Sequence, residues 1–258
     1  QIETLQAGVT SDLKTSVKAV NALARTVADL NRQIANALGT GHTPNDLLDQ
    51  RDQAIAEIGR YVQVSTIRAD DGSMNLFIGG GQRLVLGGEA TPLVAMADPY
   101  DPSQVHLGVS EGGTTRLVPD ATLAGGSIAG LLRFQNEDLR DARNLVGQMA
   151  AALAGAVNTQ QSLGLDLTTP TGRPGTDLFA VGAPRVQPAS TNAGSAVVNL
   201  ATADPKLLRA SDYELRFDGS NYTLTRLGSS DPAQTFTPAA LAAGVTVDGM
   251  SIQLASGS

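Results

Sequence analysis

Three carboxylates at three-residue spacing, Asp46, Asp49 and Asp52, are the residues of this chain most nearly arranged for chemistry. On a helix that spacing lines them along one side, where clustered carboxylates serve acid–base work or bind a cation. Each also has a plainer role. Asp46 falls in a first helical turn, where negative charge meets the positive end of the helix dipole, and Asp49 and Asp52 flank Arg51 and form solvated pairs with it. Packing is therefore the stronger reading of Asn45-Asp46-Leu47-Leu48-Asp49-Gln50-Arg51-Asp52: a capped helix start in which Leu47 and Leu48 supply the apolar grip while Asp49, Arg51 and Asp52 stay on wetter faces.

The remaining candidates are weaker still. His42 sits in a connecting turn and His106 in a strand pattern, and neither has the HExxH or paired spacing of a metal site. With no cysteine, thiolate ligands and disulfides are excluded. Ser127 lies in a Gly125–Gly130 run that resembles a nucleophile elbow, but that motif needs glycine where Ala129 stands, so Ser127 reads as a helix cap. Gly79-Gly80-Gly81 lacks the Lys-Ser/Thr of a phosphate loop, and Gly39-Thr40-Gly41 lacks the third glycine of a dinucleotide turn. Both predict ordinary turns. Asp166 and Asp177 are expected to orient backbone amides. No catalytic, cofactor or metal residue is assigned, and the chain does not read as an enzyme.

The elements that position these residues follow from periodicity. Leu13, Val17, Val20, Ala24, Val27, Leu30, Ile34 and Leu38 recur at steps of three and four, one stripe of a long helix, with Lys14, Lys18, Asn21, Arg25, Asp29, Arg32 and Asn36 on the other faces. The stripe is rich in Ala and Val, which favours packing within its own domain over an intermolecular coiled coil. Gly39-Thr40-Gly41 ends it, and Thr43, Pro44 and Asp46 predict the cap, first position and capping box of a second helix, with Leu48, Ile55, Ile58 and Val62 facing the first.

After Tyr61 the period becomes two, and strands are expected through Val62–Thr66, Met74–Ile78, Leu84–Leu86, Leu93–Ala95, Val105–Val109 and Thr115–Val118. A third long helix, from Ser127 to about Gln161, carries the stripe Leu132, Leu139, Ala142, Val146, Met149, Leu153 and Ala156 and is expected to fold back on the helical hairpin. Residues 164–195, with Pro170, Gly172, Pro174, Gly175, Pro184 and Pro188, read as an extended strap anchored by Leu178 and Phe179. Tyr213–Phe217 and Tyr222–Arg226 around Asp218-Gly219-Ser220-Asn221 give the clearest hairpin, and Val245–Val247 and Ser251–Leu254 flank Asp248-Gly249.

The expected fold is α+β and elongated: a helical rod over 1–62 and 125–194 with the strap, a small inserted β module over 63–124, and an outer β domain over 195–258. Aromatic residues make up 3% of the chain, so its cores must be thin and built from Ala, Leu, Val and Ile. A net charge of −7 gives no cationic surface for a nucleic-acid backbone. No apolar run reaches the roughly 18 residues of a membrane span, and the opening residues lack signal-peptide order. Gln1-Ile2-Glu3 begins inside a helical pattern, which predicts a piece of a longer protein.

Several blocks carry a resemblance: Asn45 to Asp52; Gly126-Ser127-Ile128-Ala129-Gly130-Leu131-Leu132; Asn158-Thr159-Gln160 followed by Gly164-Leu165-Asp166-Leu167; Gly175-Thr176-Asp177-Leu178-Phe179; and Ser211-Asp212-Tyr213-Glu214-Leu215-Arg216-Phe217-Asp218-Gly219. In order and spacing they resemble the bacterial flagellar hook-associated protein 1 family. The resemblance implies a structural axial protein joining hook to filament, extracellular on the flagellum and exported by the type III apparatus without a cleaved signal. It implies as partners the hook protein, the second junction protein, copies of itself in a ring and an export chaperone. Asn45 to Asp52, Asn158, Gln160, Gly164, Asp166 and Phe179 are then structural motif residues. The family's terminal helical segments, which build the inner tube, have no counterpart here. The alternative is an extracellular adhesin or host-facing module, suggested by the exposed β domains.

Overall fold

A computed structural model describes residues 1–167 and 172–256. The fold is α+β, its sheets antiparallel, and it divides into two compact units, 1–139 and 140–258.

The first unit begins with α1 (Ile2–Gly39). Leu13, Val17, Val20, Ala24, Val27, Leu30 and Ile34 are buried along it, as the periodicity predicts, and so is Val9 ahead of that stripe, whereas Leu38 at its end is exposed. Gly41, in the left-handed conformation, ends the helix, and the His42 and Gly41 N–H groups donate back to Ala37 O (3.1 Å) and Leu38 O (3.0 Å). That pairing satisfies carbonyls a helix end leaves open.

Helix α2 (Asn45–Tyr61) packs against α1 and buries Ala54 and Ile58, with Val62 following. Its start differs from expectation. Pro44 holds the cap position and no side chain caps the helix, so neither Thr43 nor an Asp46 capping box closes it. Pro44 O instead accepts from Leu47 and Leu48 N–H, both at 3.1 Å.

Strands β1 (Val64–Arg68), β2 (Met74–Ile78), β3 (Gln82–Leu86) and β4 (Glu89–Ala90) form a sequential sheet, and β5 (Leu93–Ala97), β6 (Val105–Glu111) and β7 (Thr114–Leu117) a second. Val64 pairs with Ile78 and Leu93 with Val109. Sheets of three or four short strands are marginal unless one face is covered. Here Leu76, Ile78, Leu84, Leu93, Leu107 and Val109 join the buried cluster of α1 and α2, so the strands of 63–124 share the helices' core.

A 3₁₀ turn (Asp120–Thr122) leads to α3 (Gly126–Arg133), which packs on α1 and α2 through Ile128 and Leu132. The cap is Gly125 with no side-chain bond, not Ser127. Gly126 has φ +82°, and a Cβ there would lie 2.4 Å from Tyr61 O, so only glycine lets α3 enter this close to the end of α2. A π-helical segment, Phe134–Leu139, closes the unit, with Gln135 and Leu139 buried. The third helical stripe is thus buried as far as Leu139.

In the second unit α4 (Arg140–Ser162) leaves Leu145, Val146, Met149 and Leu153 exposed, the last two at 63% and 67%. The short strands β8 (Leu165–Asp166) and β9 (Arg173–Pro174) pair beyond it, while Pro170 and the Asp166 side chain lie outside the described residues. Strands β10 (Val197–Thr202), β11 (Tyr213–Phe217), β12 (Tyr222–Arg226), β13 (Gln234–Phe236), β14 (Val245–Val247) and β15 (Met250–Ser256) make two sheets, ordered β10-β15-β14 and β11-β12-β13. Tyr222, Leu224, Val247 and Ile252 meet between them with Leu241 of α5 (Pro238–Ala243). Sequence reading overlooked α5, although Thr237-Pro238 is a cap followed by proline at the first position; Thr237 Oγ1 accepts from Ala240 N–H at 3.2 Å.

Candidate functional site

Asp46, Asp49 and Asp52 are exposed on α2, and among the described residues no three histidine or carboxylate groups are arranged to hold a metal. The residue that matters in the octapeptide is Arg51, which reaches inward and is 3% exposed, contrary to its expected place on a wet face. Its Nη1 donates to Gly72 O (2.8 Å) and approaches Asn31 Oδ1 (3.5 Å), while Asp52 Oδ1 stands 3.7 Å from Nε, outside hydrogen-bond reach. Leu47 and Leu48 are half-buried beside it.

Asn31 on α1 completes this cluster. At 1% exposure, its Nδ2 donates to Met74 O and Gly87 O (both 2.8 Å) and its Oδ1 accepts from Met74 N–H (3.0 Å). A primary amide offers the same donor–acceptor pair as a peptide bond, so one asparagine closes the start of β2 and the turn after β3 onto the helix. Asn21 repeats the device ten residues earlier, donating to Leu93 O and accepting from Leu93 N–H, both at 2.8 Å. The periodicity places it only off the apolar stripe. An Asn-to-backbone pin has no spacing signature, and its one legible sign is an amide at the border of an apolar stripe.

A longer chain of polar contacts runs from α1 to the turn before β6. Gln135, 1% exposed, accepts from Gln6 Nε2 (3.1 Å) and Val105 N–H (3.2 Å) and donates to Val105 O (3.0 Å) and Asn136 Oδ1 (3.0 Å). Asn136 Nδ2 donates to Asp120 Oδ2 (2.7 Å). His106 on β6 then stands between two carboxylates, with Nε2 at 2.9 Å from Asp98 Oδ2 and Nδ1 at 3.3 Å from Asp120 Oδ2. The Asp120 bond, more than the Asp98 bond, outweighs partial burial and raises the ring's pKa from 6.5 to about 9. The sequence places His106 in a strand, as the structure does, and its two partners come from turns that spacing does not connect. His42 remains in the exposed turn after α1.

In the second unit Asn158 bonds the main chain of the strap: Nδ2 to Phe179 O (2.7 Å), and Oδ1 from Leu178 and Phe179 N–H (3.0 Å each). The strap is anchored there through its backbone, since the Leu178 and Phe179 side chains are exposed. Gln160 is exposed, and Gly164 O accepts from Gly175 N–H at 2.9 Å. Tyr213 O–H donates to Asp248 Oδ2 (2.6 Å), and Arg226 reaches the same carboxylate at 3.4 Å. Burial and then the bond to Asp248 push the phenol up from its ordinary range.

These side chains fasten strands, turns and the strap to helices and to one another within an α+β protein. Two family models match it: the helical domain of flagellar hook-associated protein FlgK over residues 1–179, and the D2-like domain of flagellar hook-associated protein 1 over 188–258. The chain belongs to the flagellar hook-associated protein 1 family, a family of structural flagellar proteins. Flagellar hook-associated protein 1 of Escherichia coli (strain K12) is 36% identical over 241 residues, covering 92% of this chain and 43% of its own length. The Salmonella typhimurium protein of the same name is 36% identical over 247 residues, covering 94% and 44%. The solved structure of the flagellar hook junction protein FlgK from Burkholderia pseudomallei matches with a TM-score of 0.88 at 35% identity, covering 99% of this chain and 46% of that one. The chain thus spans less than half the length of these relatives. The likenesses support a structural flagellar component and not an adhesin, and among the described residues no helix is long and apolar enough to cross a membrane.

Proposed function

We propose that this chain is part of an axial protein of the bacterial flagellum that joins hook to filament through subunit–subunit packing, without catalysis. The observation that carries the reading is the likeness to a hook junction protein along 99% of the chain at 35% identity. The exposed apolar row of α4, Leu145, Val146, Met149 and Leu153, suits a helix whose face is covered when the whole protein is assembled. In this reading the whole protein lies outside the cell, exported through the type III apparatus without a cleaved signal. Its partners are the hook protein, the second junction protein, copies of itself in a ring and an export chaperone. Residues 1–62 with 125–194 form the helical part, 63–124 the β insertion, and 195–258 an outer β domain, the last supported by the D2-like match from residue 188. Asn45 to Asp52, Asn158, Gln160, Gly164, Asp166 and Phe179 act as structural motif residues.

The test is addition of the full-length protein to isolated hooks, read by electron microscopy. Density capping the hook ends is expected. Bare ends on intact hooks would overturn the reading.

A further inference from the structure

The bridge Asp98–His106–Asp120 has a property that its neighbours in the polar chain lack, because it depends on a proton. A neutral imidazole carries one N–H and one lone pair, yet both ring nitrogens here face carboxylate oxygens, at 2.9 and 3.3 Å. Only the imidazolium donates to both. In the neutral ring one lone pair confronts a carboxylate and that contact turns repulsive. The three side chains are 18–29% exposed, so water screens the contact only in part.

Each carboxylate also organises main chain. Asp98 Oδ1 accepts from Tyr100 N–H (2.7 Å) and Asp101 N–H (2.8 Å), setting the loop 98–104, whose Ser103 O is held by Thr10 Oγ1 at 2.9 Å. Asp120 begins the 3₁₀ turn, accepts from Asn136 of the π segment, and leaves Oδ1 buried without a partner. An orphaned acceptor beside the ring gives a further reason for positive charge there.

We infer that Asp98–His106–Asp120 is a proton-dependent latch: the doubly protonated ring ties the loop 98–104 and the turn 120–122 to β6, and loss of one ring proton releases one of them. The charges surrounding the ring agree with this. The loop supplies Asp98 and also Asp101, which turns to Ser103 and Gln104. The turn supplies Asp120. Strand β5 places Met96 opposite the ring and carries no charged residue, and Arg116 of β7 pairs with Val109, three residues along. The π segment contributes neutral Asn136 at the bridge, with Glu137 drawn to Arg133 and Asp138 exposed. Helix α1 reaches the loop through neutral Gln6 and Thr10.

The experiment is NMR on the 258-residue chain, following the His106 ring, assigned with a His42→Ala variant, alongside amide hydrogen exchange from pH 6 to 10.5. The ring is expected to titrate near pH 9. From about pH 6.5 up to that point, protection at Tyr100, Asp101 and Ser103 or at Thr122 and Leu123, corrected for intrinsic base catalysis, should fall by up to about tenfold per pH unit and level off above it. Amides of β11 and β12 should not follow. Asp120→Asn should move the ring's titration toward 6.5. A ring titrating near 6.5 in the unmodified chain, or protection at both segments unchanged through its titration, would overturn the latch whatever the variant does.

Discussion

Replacing Asn31 by leucine removes a buried amide while keeping the branching and the number of side-chain heavy atoms, so it tests the polar pin without opening a cavity. Three backbone groups lose their partner: Met74 N–H, Met74 O and Gly87 O. An unsatisfied buried group costs roughly 1–3 kcal/mol, and with some water reaching the turn side the sum is about 3–6 kcal/mol. Against a domain stability of about 5–15 kcal/mol that is a large share. For a unit of this size the melting temperature should drop by about 10–20 °C. Calorimetry resolves the transition, and hydrogen exchange at the Met74 amide shows that the loss lies in the first unit. Asn36→Ala, on the exposed side of the same helix, should stay within about 0.5 kcal/mol. If Asn31→Leu matched that control, the strand ends would be held by something other than the asparagine, and the case for interior amides as the fastening of this fold would fail.

Arg51→Met keeps an apolar stem but leaves Gly72 O without its charged donor, and should cost about 2 kcal/mol in urea unfolding, whereas exposed Asp49→Asn should be nearly silent. Gly126→Ala places a Cβ against Tyr61 O in left-handed backbone and should destabilise the first unit by about 2 kcal/mol or more, read as a lower melting temperature. Asn158→Ala frees the main chain at Leu178 and Phe179, so chymotrypsin should cut after Phe179 faster than in the parent chain under native conditions. Because the folded His106 holds its proton more tightly than the unfolded ring, its contribution is fully present below pH 6.5 and is lost as pH rises through about 9. Urea midpoints should fall across that window, and His106→Gln should flatten the fall.

Local order was legible wherever one physical rule acted alone. The stripe of α1 and the strands of 63–124 other than the two-residue β4 were readable because burying one face imposes a period on the residues that supply it. Asp248-Gly249, with φ +47° and +78°, gave the β14–β15 turn because few residues adopt that backbone. Reading failed where a residue's partner is backbone from a distant element. Arg51 and Asn21 have types that normally face water, and nothing within a few positions of either shows that Gly72 O or Leu93 lies opposite. Leu178 and Phe179 misled in the reverse way: their type suggested side-chain anchors, while the anchor is their peptide groups on Asn158.

The composition helps to explain why amides hold these positions. With few aromatic residues, the core of the first unit is assembled from Leu, Ile, Val and Ala, which interchange at little cost and define strand register weakly. A strand slipping by two residues along α1 would keep the same face inward and would sacrifice little apolar burial where another aliphatic side chain took the place. It would lose every bond of Asn21 to Leu93 and of Asn31 to Met74, because these require one peptide opposite one amide. Polar pins at three points along α1, Gln6, Asn21 and Asn31, therefore select a single register among several that hydrophobic burial alone would accept.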